Sequence, residues 1–472
     1  MTRLFILATL LILTACNHRS TVIAITNEST GNRPVTIRLT EPVGNSFSFI
    51  QCDTLTLEQQ LEIEIDIDRP CPLFIQELRK PGIYMMLEKG KRYEIAFDGS
   101  TLKVINDIAQ EKYGSIPPPL IETHLLTEAK KYASTSTFSE LKELISVKRN
   151  EEMTVFESLL RKGKISRKLF KAIETERDIY WRSIIANVAY SHFNDSGKLS
   201  EEDHRIWKSA FEDIDMNDPT LTASRYYIAL AKSCADYLIF ADPDLDMERL
   251  MEEVEAGRLH TLYIDNYKKI LEGRNLEYMI ADRLFNACFQ NDYSRELIDI
   301  FDDFQEKFPD SIYKEMLCSI IQPVRDFHSK EELKQSGIEI IEGSSKPENF
   351  EDLISMFRGR KIYVDVWASW CAPCKEEFKH TGRLHGLLTE KGYETLYISI
   401  DDMRNDRQWR EMIQGFGLKG RHIRAEKGLL KDLYSLYGSE SMGIPWNMII
   451  DEDGIIKEKF AKRPSEITPE DL

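Results

Sequence analysis

The chain has 472 residues, 42 % of them hydrophobic and 30 % charged, with a formal net charge of −17. That length supplies core for two to four domains, and the acidity excludes a general nucleic-acid binder because phosphate repels such a surface. Its 23 glycines and 17 prolines are too few for a fibrous or disordered chain, and no Lys/Arg cluster marks adsorption to anionic lipid.

The first element is a leader. Arg3 precedes an apolar run from Leu4 to Ala15, shorter than the roughly 20 residues a membrane-spanning helix needs. Small residues and then polar Asn17-His18-Arg19 follow, as in a secretory signal. Leu13-Thr14-Ala15-Cys16 resembles the bacterial lipobox. Residues 1–15 are accordingly read as a lipoprotein signal peptide and Cys16 as the lipidated N-terminus. Acyl chains contribute about 0.8 kcal/mol per buried methylene, so several would anchor the protein. The compartment expected is the cell envelope, facing the periplasm, where disulfides are permitted.

Residues 16–114 read as a β-rich, sandwich-like module. Leu61-Glu62-Ile63-Glu64-Ile65-Asp66-Ile67 alternates apolar and charged side chains, the pattern of a strand with one wet face. Similar runs are Val35 to Leu39, Leu73 to Leu78, Ile83 to Leu87, Tyr93 to Phe97 and Leu102 to Ile105, separated by Pro81-Gly82, Lys89-Gly90-Lys91 and Asp98-Gly99. Pro117-Pro118-Pro119 ends the module.

Residues 115–334 take a helical period and read as an all-α middle domain of six to eight helices. The apolar stripes are Leu141, Leu144, Ile145 and Val147, then Ile228, Leu230, Ala231, Cys234 and Leu238, then Ile298, Ile300, Phe301, Phe304 and Phe308. Asp242, Asp244, Asp246 and Glu253 imitate a calcium loop, but the sixth position holds Met247 where that loop needs glycine. A helix start with acidic first-turn residues is the better reading.

Residues 335–472 alternate strand and helix patterns in the α/β manner, with Ser344-Ser345-Lys346-Pro347 as an early loop. The decisive stretch begins at the buried-strand run Ile362 to Trp367 and leads into Trp370-Cys371-Ala372-Pro373-Cys374. A C-x-x-C pair at a strand-to-helix turn closes a small disulfide ring. The helix dipole lowers the pKa of the first thiol, which is expected to be exposed, and the thiolate is the nucleophile in disulfide exchange. Cys374, one turn in, resolves the mixed disulfide. Structural zinc would need further ligands, and no second C-x-x-C or C-x-x-H lies nearby. A purely structural bond closing so short a loop would constrain little chain.

Trp-Ala-Ser-Trp-Cys-Ala-Pro-Cys-Lys resembles the thioredoxin active site, and Met442-Gly443-Ile444-Pro445, about 70 residues on, resembles the cis-proline loop that faces it. The resemblance implies a C-terminal thioredoxin fold of the TlpA/ResA-like branch of thiol–disulfide oxidoreductases, in the layout of a multi-domain envelope lipoprotein. It implies that Cys371 attacks and Cys374 resolves. Trp370, Pro373, Ile444 and Pro445 then bind substrate, with Ile444 pairing to the peptide backbone. Glu377, three residues after Cys374, or Asp365, six before Cys371, exchanges the Cys374 proton; Glu376 is read as solvated. Trp409, in a helix over Asn405 to Phe416, marks the insertion between central strands that this branch carries, and Asp451 to Gly454 is the turn joining the last two strands. Departures are Lys379 where the branch has proline, aspartate at 365 where it often has asparagine, Trp446 after the cis proline, and Leu396 where thioredoxin has a lysine beside its buried aspartate. The final helix is expected to be short or absent.

The other cysteines divide. Cys52 and Cys71 are candidates for a structural disulfide, whereas Cys234, Cys288 and Cys318 lie on apolar helical stripes and read as buried free thiols. His380 and His385 read as surface helix residues. No cofactor beyond the Cys371/Cys374 pair and no metal is expected. The expected partners are disulfide-containing envelope proteins and a membrane electron donor of the thiol–disulfide relay type. The resemblance also suggests cytochrome c maturation or repair of envelope disulfides. Two alternatives remain: a disulfide oxidase or isomerase on the same scaffold, or a binding protein whose helical domain captures a partner and whose redox pair is regulatory.

Overall fold

The computed structural model describes residues 20–29, 34–40, 52–77, 80–116, 121–135, 137–242, 247–331, 336–342, 346–439 and 441–472. The leader and Cys16 lie outside them, as do Asp244 and Asp246 of the calcium-like sequence and Ser344-Ser345. The chain forms two compact units that meet in sequence at Tyr237 and Leu238.

In the first unit the strands are β1 (Thr21–Asn27), β2 (Val35–Thr40), β3 (Cys52–Leu57), β4 (Gln60–Ile65), β5 (Cys71–Glu77), β6 (Ile83–Leu87), β7 (Arg92–Phe97) and β8 (Leu102–Val104). They build two four-stranded sheets, β4-β1-β7-β8 and β3-β2-β5-β6, around one core that includes Ile23, Ile37, Ile63, Leu73, Met85 and Ile95. Alternation along β4 does what a pleat of period two requires: Ile63 is buried while Glu62 and Glu64 face solvent. Cys71 is a buried free thiol, and the side chain of Cys52 lies outside the described residues.

β6 buries both faces. Met85 and Leu87 enter the sheet core, while Tyr84 and Met86 pack against helices α1 (Ile108–Gly114), α3 (Phe138–Arg161) and α4 (Arg167–Ser196). As the edge of its sheet, β6 would leave backbone groups open. The Gln110 side chain of α1 closes them, accepting from Met86 N at 2.8 Å and donating to Met86 O at 2.7 Å. The remaining helices of this unit are α2 (Ile121–Lys130), α5 (Glu201–Ser209) and α6 (Tyr227–Phe240), the last running across the unit boundary. On α3 the expected stripe is half right: Leu141 and Ile145 are buried, but Leu144 and Val147 are exposed. Residues 141 and 145 are four apart and share a face, whereas 144 and 147 lie on the adjoining one.

The second unit contains α7 (Met247–Glu255), α8 (Leu259–Ile270), α9 (Gly273–Phe289), α10 (Glu296–Lys307) and α11 (Lys314–Glu331), followed by an α/β part. The helices from 115 to 334 are therefore divided between the units. The α/β part holds β9 (Ile338–Ile340), α12 (Phe350–Ser355), β10 (Lys361–Trp367), α13 (Ala372–Phe378), α14 (Thr381–Lys391), β11 (Tyr393–Ser399), α15 (Asp406–Gly415), β12 (Gly420–Arg424), α16 (Lys427–Tyr437), β13 (Trp446–Ile450) and β14 (Ile456–Ala461). Its six-stranded sheet has the order β14-β13-β10-β11-β12-β9. β11 runs parallel to β10 and β13 antiparallel to it.

β10 is central and buried on both faces, which explains an apolar run that only Asp365 interrupts. One face carries Ile362, Val364 and Val366 against Leu353, Leu429 and Leu433 of α12 and α16. The other carries Tyr363 against Leu384 and Leu388 of α14. α15 stands between β11 and β12 with Trp409 buried, and Gly454 turns β13 into β14 at φ +85°. After β14 one 3-10 turn, Pro469–Asp471, follows.

Helices α7 to α11 and the α/β part pack together through rings. Phe416 lies 5.3 Å from Phe378, 5.2 Å from Phe327 and 5.1 Å from Tyr293 between centroids. Gly415 allows this approach, since a Cβ there would sit 2.2 Å from the Phe327 ring.

Candidate redox site

β10 delivers the site. After Trp367 the chain turns, with Cys371 N donating to Ala368 O at 3.1 Å, and α13 begins. Cys371 is its N-cap, and Sγ of Cys371 accepts the Cys374 N–H at 3.2 Å. A sulfur in this place answers an otherwise unsatisfied N–H and the positive end of the helix dipole. Pro373 stands in the first turn, where its missing N–H removes no bond. Cys371 and Cys374 are joined as a disulfide.

The expectation of an exposed Cys371 is corrected. Cys371 is 4 % exposed and Cys374 fully buried. The exposed neighbours are Trp370, at 58 %, and Pro373.

The loop before Cys371 is tied down by a residue the sequence reading missed. Asp401 accepts from Ser369 N at 2.8 Å, Ser369 Oγ at 2.7 Å and Ser399 Oγ at 2.7 Å. Burial pushes its carboxyl pKa up, and the bonds from Ser399 and Ser369 oppose the rise. A signal was available in the Ser399-Ile400-Asp401 run leaving a buried strand.

Ile444–Pro445 is a cis peptide bond. Trp446, the next residue, pairs with Val366, so this bond sits at the end of β10 that leads into Cys371. Pro445 is buried and Ile444 half-buried. Trp446 is also buried, its Nε1 donating to Lys459 O at 2.6 Å.

The two carboxylates differ in their surroundings. Glu377 is bonded: Oε2 accepts from Ser465 N at 2.9 Å and Oε1 from Ser465 Oγ at 3.0 Å. Asp365, on β10, is fully buried, and neither carboxylate oxygen has a hydrogen-bond partner. Burial first, and the Glu377 charge second, push its pKa up to about 7; Asn447, its cross-strand partner, lies near enough to oppose this but forms no properly aligned bond. Leu396 is buried in the apolar core, and no cation is among the charges that reach Asp365.

Glu376 is exposed and accepts from Lys379 and from Asn291. His380 is exposed, and His385 is half-buried, its pKa lowered by burial. Cys234 is buried, as expected. Cys288 is half-buried and Cys318 exposed, against expectation, because their helices turn those positions away from the core.

Comparison with known proteins gives the same picture. Residues 344–459 match the AhpC/TSA family model. The chain is 26 % identical over 104 residues to thiol-disulfide oxidoreductase ResA of Bacillus thuringiensis (strain Al Hakam), covering 22 % of this chain and 56 % of that protein. It is 25 % identical over 122 residues to ResA of Bacillus thuringiensis subsp. konkukian (strain 97-27), covering 24 % of this chain and 66 % of that protein. The chain thus spans just over half the length of the first of these relatives. The crystal structure of the thioredoxin domain of a thiol-disulfide oxidoreductase from Bacteroides vulgatus matches at 24 % identity and TM-score 0.21, over 25 % of this chain and 77 % of that one. The strand that feeds the disulfide and the helix it caps thus lie inside the stretch that matches the AhpC/TSA family model, and this C-terminal part of the chain is similar to the thiol-disulfide oxidoreductases ResA.

Proposed function

We propose that the chain is a thiol–disulfide oxidoreductase that reduces protein disulfides through Cys371 and Cys374 outside the cytoplasm. One observation carries this reading: the Cys371–Cys374 disulfide caps α13 at the end of β10, and the same strand holds a buried carboxylate with no hydrogen-bond partner.

In the reduced protein the Cys371 thiolate attacks one sulfur of a substrate disulfide, and the other substrate sulfur leaves as a thiolate. Cys374 gives its proton to Asp365, whose pKa near 7 suits it to take up and return a proton at neutral pH. The Cys374 thiolate then attacks Cys371 Sγ, the mixed disulfide breaks and the second substrate thiolate is released. Two electrons pass to the substrate, and the Cys371–Cys374 disulfide is left. A membrane thiol–disulfide relay returns the electrons. Glu377, held by Ser465, supplies a fixed charge rather than the travelling proton. Trp370, Pro373, Ile444 and Pro445 form the substrate rim, and acylation of Cys16 would keep the protein near its donor.

The test is a Cys374→Ser protein expressed in full in the envelope. It should accumulate mixed disulfides through Cys371 that mass spectrometry identifies and dithiothreitol releases. Cys371→Ser should trap none, and equal yields from both variants would end the proposal. A reduction potential near −270 mV supports the reductive direction, and one near −120 mV an oxidase.

A further inference from the structure

The loop that closes α9 grips the redox helix. Lys375, next to Cys374, is buried, and its Nζ donates to Asn291 O at 2.8 Å. Asn291 Nδ2 donates to Glu376 Oε1 at 3.1 Å. Asn291 is the one non-glycine with positive φ among the described residues, at +56°. Asparagine adopts this left-handed conformation readily, whereas β-branched residues do so only under strain.

A buried ammonium needs partners, and the groups facing it supply them. Burial pulls the Lys375 pKa down, and the charges of Asp292 and Asp401 oppose the fall. Asp292 is fixed by His260 Nε2 at 3.0 Å and by Ser294 N and Oγ at 2.8 and 2.6 Å. Although burial works against it, these bonds hold its carboxyl well below the usual carboxylate range. The charge of Arg424 also acts on Asp401. Lys375 also stands one helical turn after Cys371, with Lys375 N bonded to Cys371 O at 3.2 Å. Holding Lys375 therefore holds the turn whose Cys374 N–H meets the Cys371 sulfur.

We propose that the Asn291–Asp292 corner is a positioning device for the redox helix: by holding the Lys375 ammonium it keeps the first turn of α13 in the geometry that stabilises a thiolate at Cys371. Helices α7 to α11 would then tune the dithiol as well as pack beside it. This rests on the reading of Cys371 as the attacking thiol.

The test uses the full chain and reads the pH profile of Cys371 alkylation by iodoacetamide, together with equilibrium against glutathione. Lys375→Met keeps the side-chain volume and removes the charge and the bond. It should slow alkylation at pH 6 roughly three- to tenfold and shift the glutathione equilibrium toward the disulfide by a similar factor, as loss of one nearby charge predicts. Lys375→Arg should restore most of both. Asn291→Val, which strains the left-handed turn, should reproduce the loss, while Asn291→Gly, which keeps the turn and its carbonyl, should not. If Lys375→Met and Asn291→Val lower the melting temperature but leave the alkylation profile and the equilibrium unmoved, the corner is only structural and the proposal fails. If Cys371→Ser protein still exchanges disulfides, the underlying reading fails instead.

Discussion

Each unit buries a carboxylate, and the two are treated in opposite ways. In the first unit Glu176, at 1 % exposure, accepts from Tyr113 Oη at 2.5 Å and Arg225 Nε at 3.0 Å. The Arg225 guanidinium, itself buried, lies 4.3 Å from the Tyr84 ring centroid and 5.0 Å from that of Tyr226. In the second unit Asp365 has, among the described residues, no cation and no well-aligned hydrogen bond, with only Asn447 near enough to oppose the rise. A buried acid beside a buried base forms a pair whose breaking leaves a charge uncompensated. A buried acid left alone holds its proton to near-neutral pH and can exchange it. Burial of charge does not by itself mark a site; what sets Asp365 apart is that no cation is among the charges acting on it.

The largest expected effect tests the paired side. Arg225→Met should cost the first unit about 3–5 kcal/mol, because Glu176 would be left buried and uncompensated. Adding Glu176→Gln should recover a large part of that loss in a denaturant titration. An Arg225→Met midpoint equal to wild type would show that the pair does not act as one.

Asp365→Asn tests the unpaired side, with the opposite sign. The ordinary value of this carboxyl is 3.8 and its folded value about 7. Between those pH values the folded chain holds a proton that the unfolded chain has lost, so stability falls as pH rises through that window. The variant should not show the fall, and at pH 8 it should be the more stable protein by up to about 4 kcal/mol. It should also slow resolution of the mixed disulfide by about 10²-fold or more. A variant less stable than wild type at pH 8, or one resolving at the wild-type rate, would place Asp365 on the structural side of the comparison.

Gly415→Ala probes the packing around the second site rather than its charge. The new Cβ would drive the Phe327 ring from its seat, and overpacking of this kind costs about 1–3 kcal/mol. Calorimetry should show a lower melting temperature for the second unit with Asp365 titrating as before.

The smallest effect is expected from Glu377→Gln. Its bonds to Ser465 should weaken by about 1 kcal/mol. With the Glu377 charge gone, the upper edge of the pH window over which Asp365 erodes stability should move downward. An unmoved window would mean that burial alone raises Asp365.

Much of the site is legible in the chain itself. Cys371-Ala372-Pro373-Cys374 after a largely apolar run dictates a helix tip capped by sulfur, and the strand, the cis proline and the Trp409 helix fall where their residues indicate. These are local consequences of backbone geometry and side-chain period. The Leu144 and Val147 exposures were not legible, because a stripe of mixed spacing does not say which of two adjoining faces finds a partner. Nor was the burial of Cys371, which depends on the packing of the fold around the helix tip.

The division of labour has a physical reason. Sequence alone determined the elements and the reactive pair, since hydrogen bonds along a strand or helix and the spacing of two thiols involve residues close in the chain. Only the tertiary structure decided which charges meet. Glu176 finds Arg225 from a turn and Tyr113 from a helix, both far along the chain, Asp365 finds Asn447 and a neighbouring negative charge, and Lys375 finds the carbonyl of Asn291. Electrostatic environment is set by distance and burial in space, and neither is written in the order of residues along the chain.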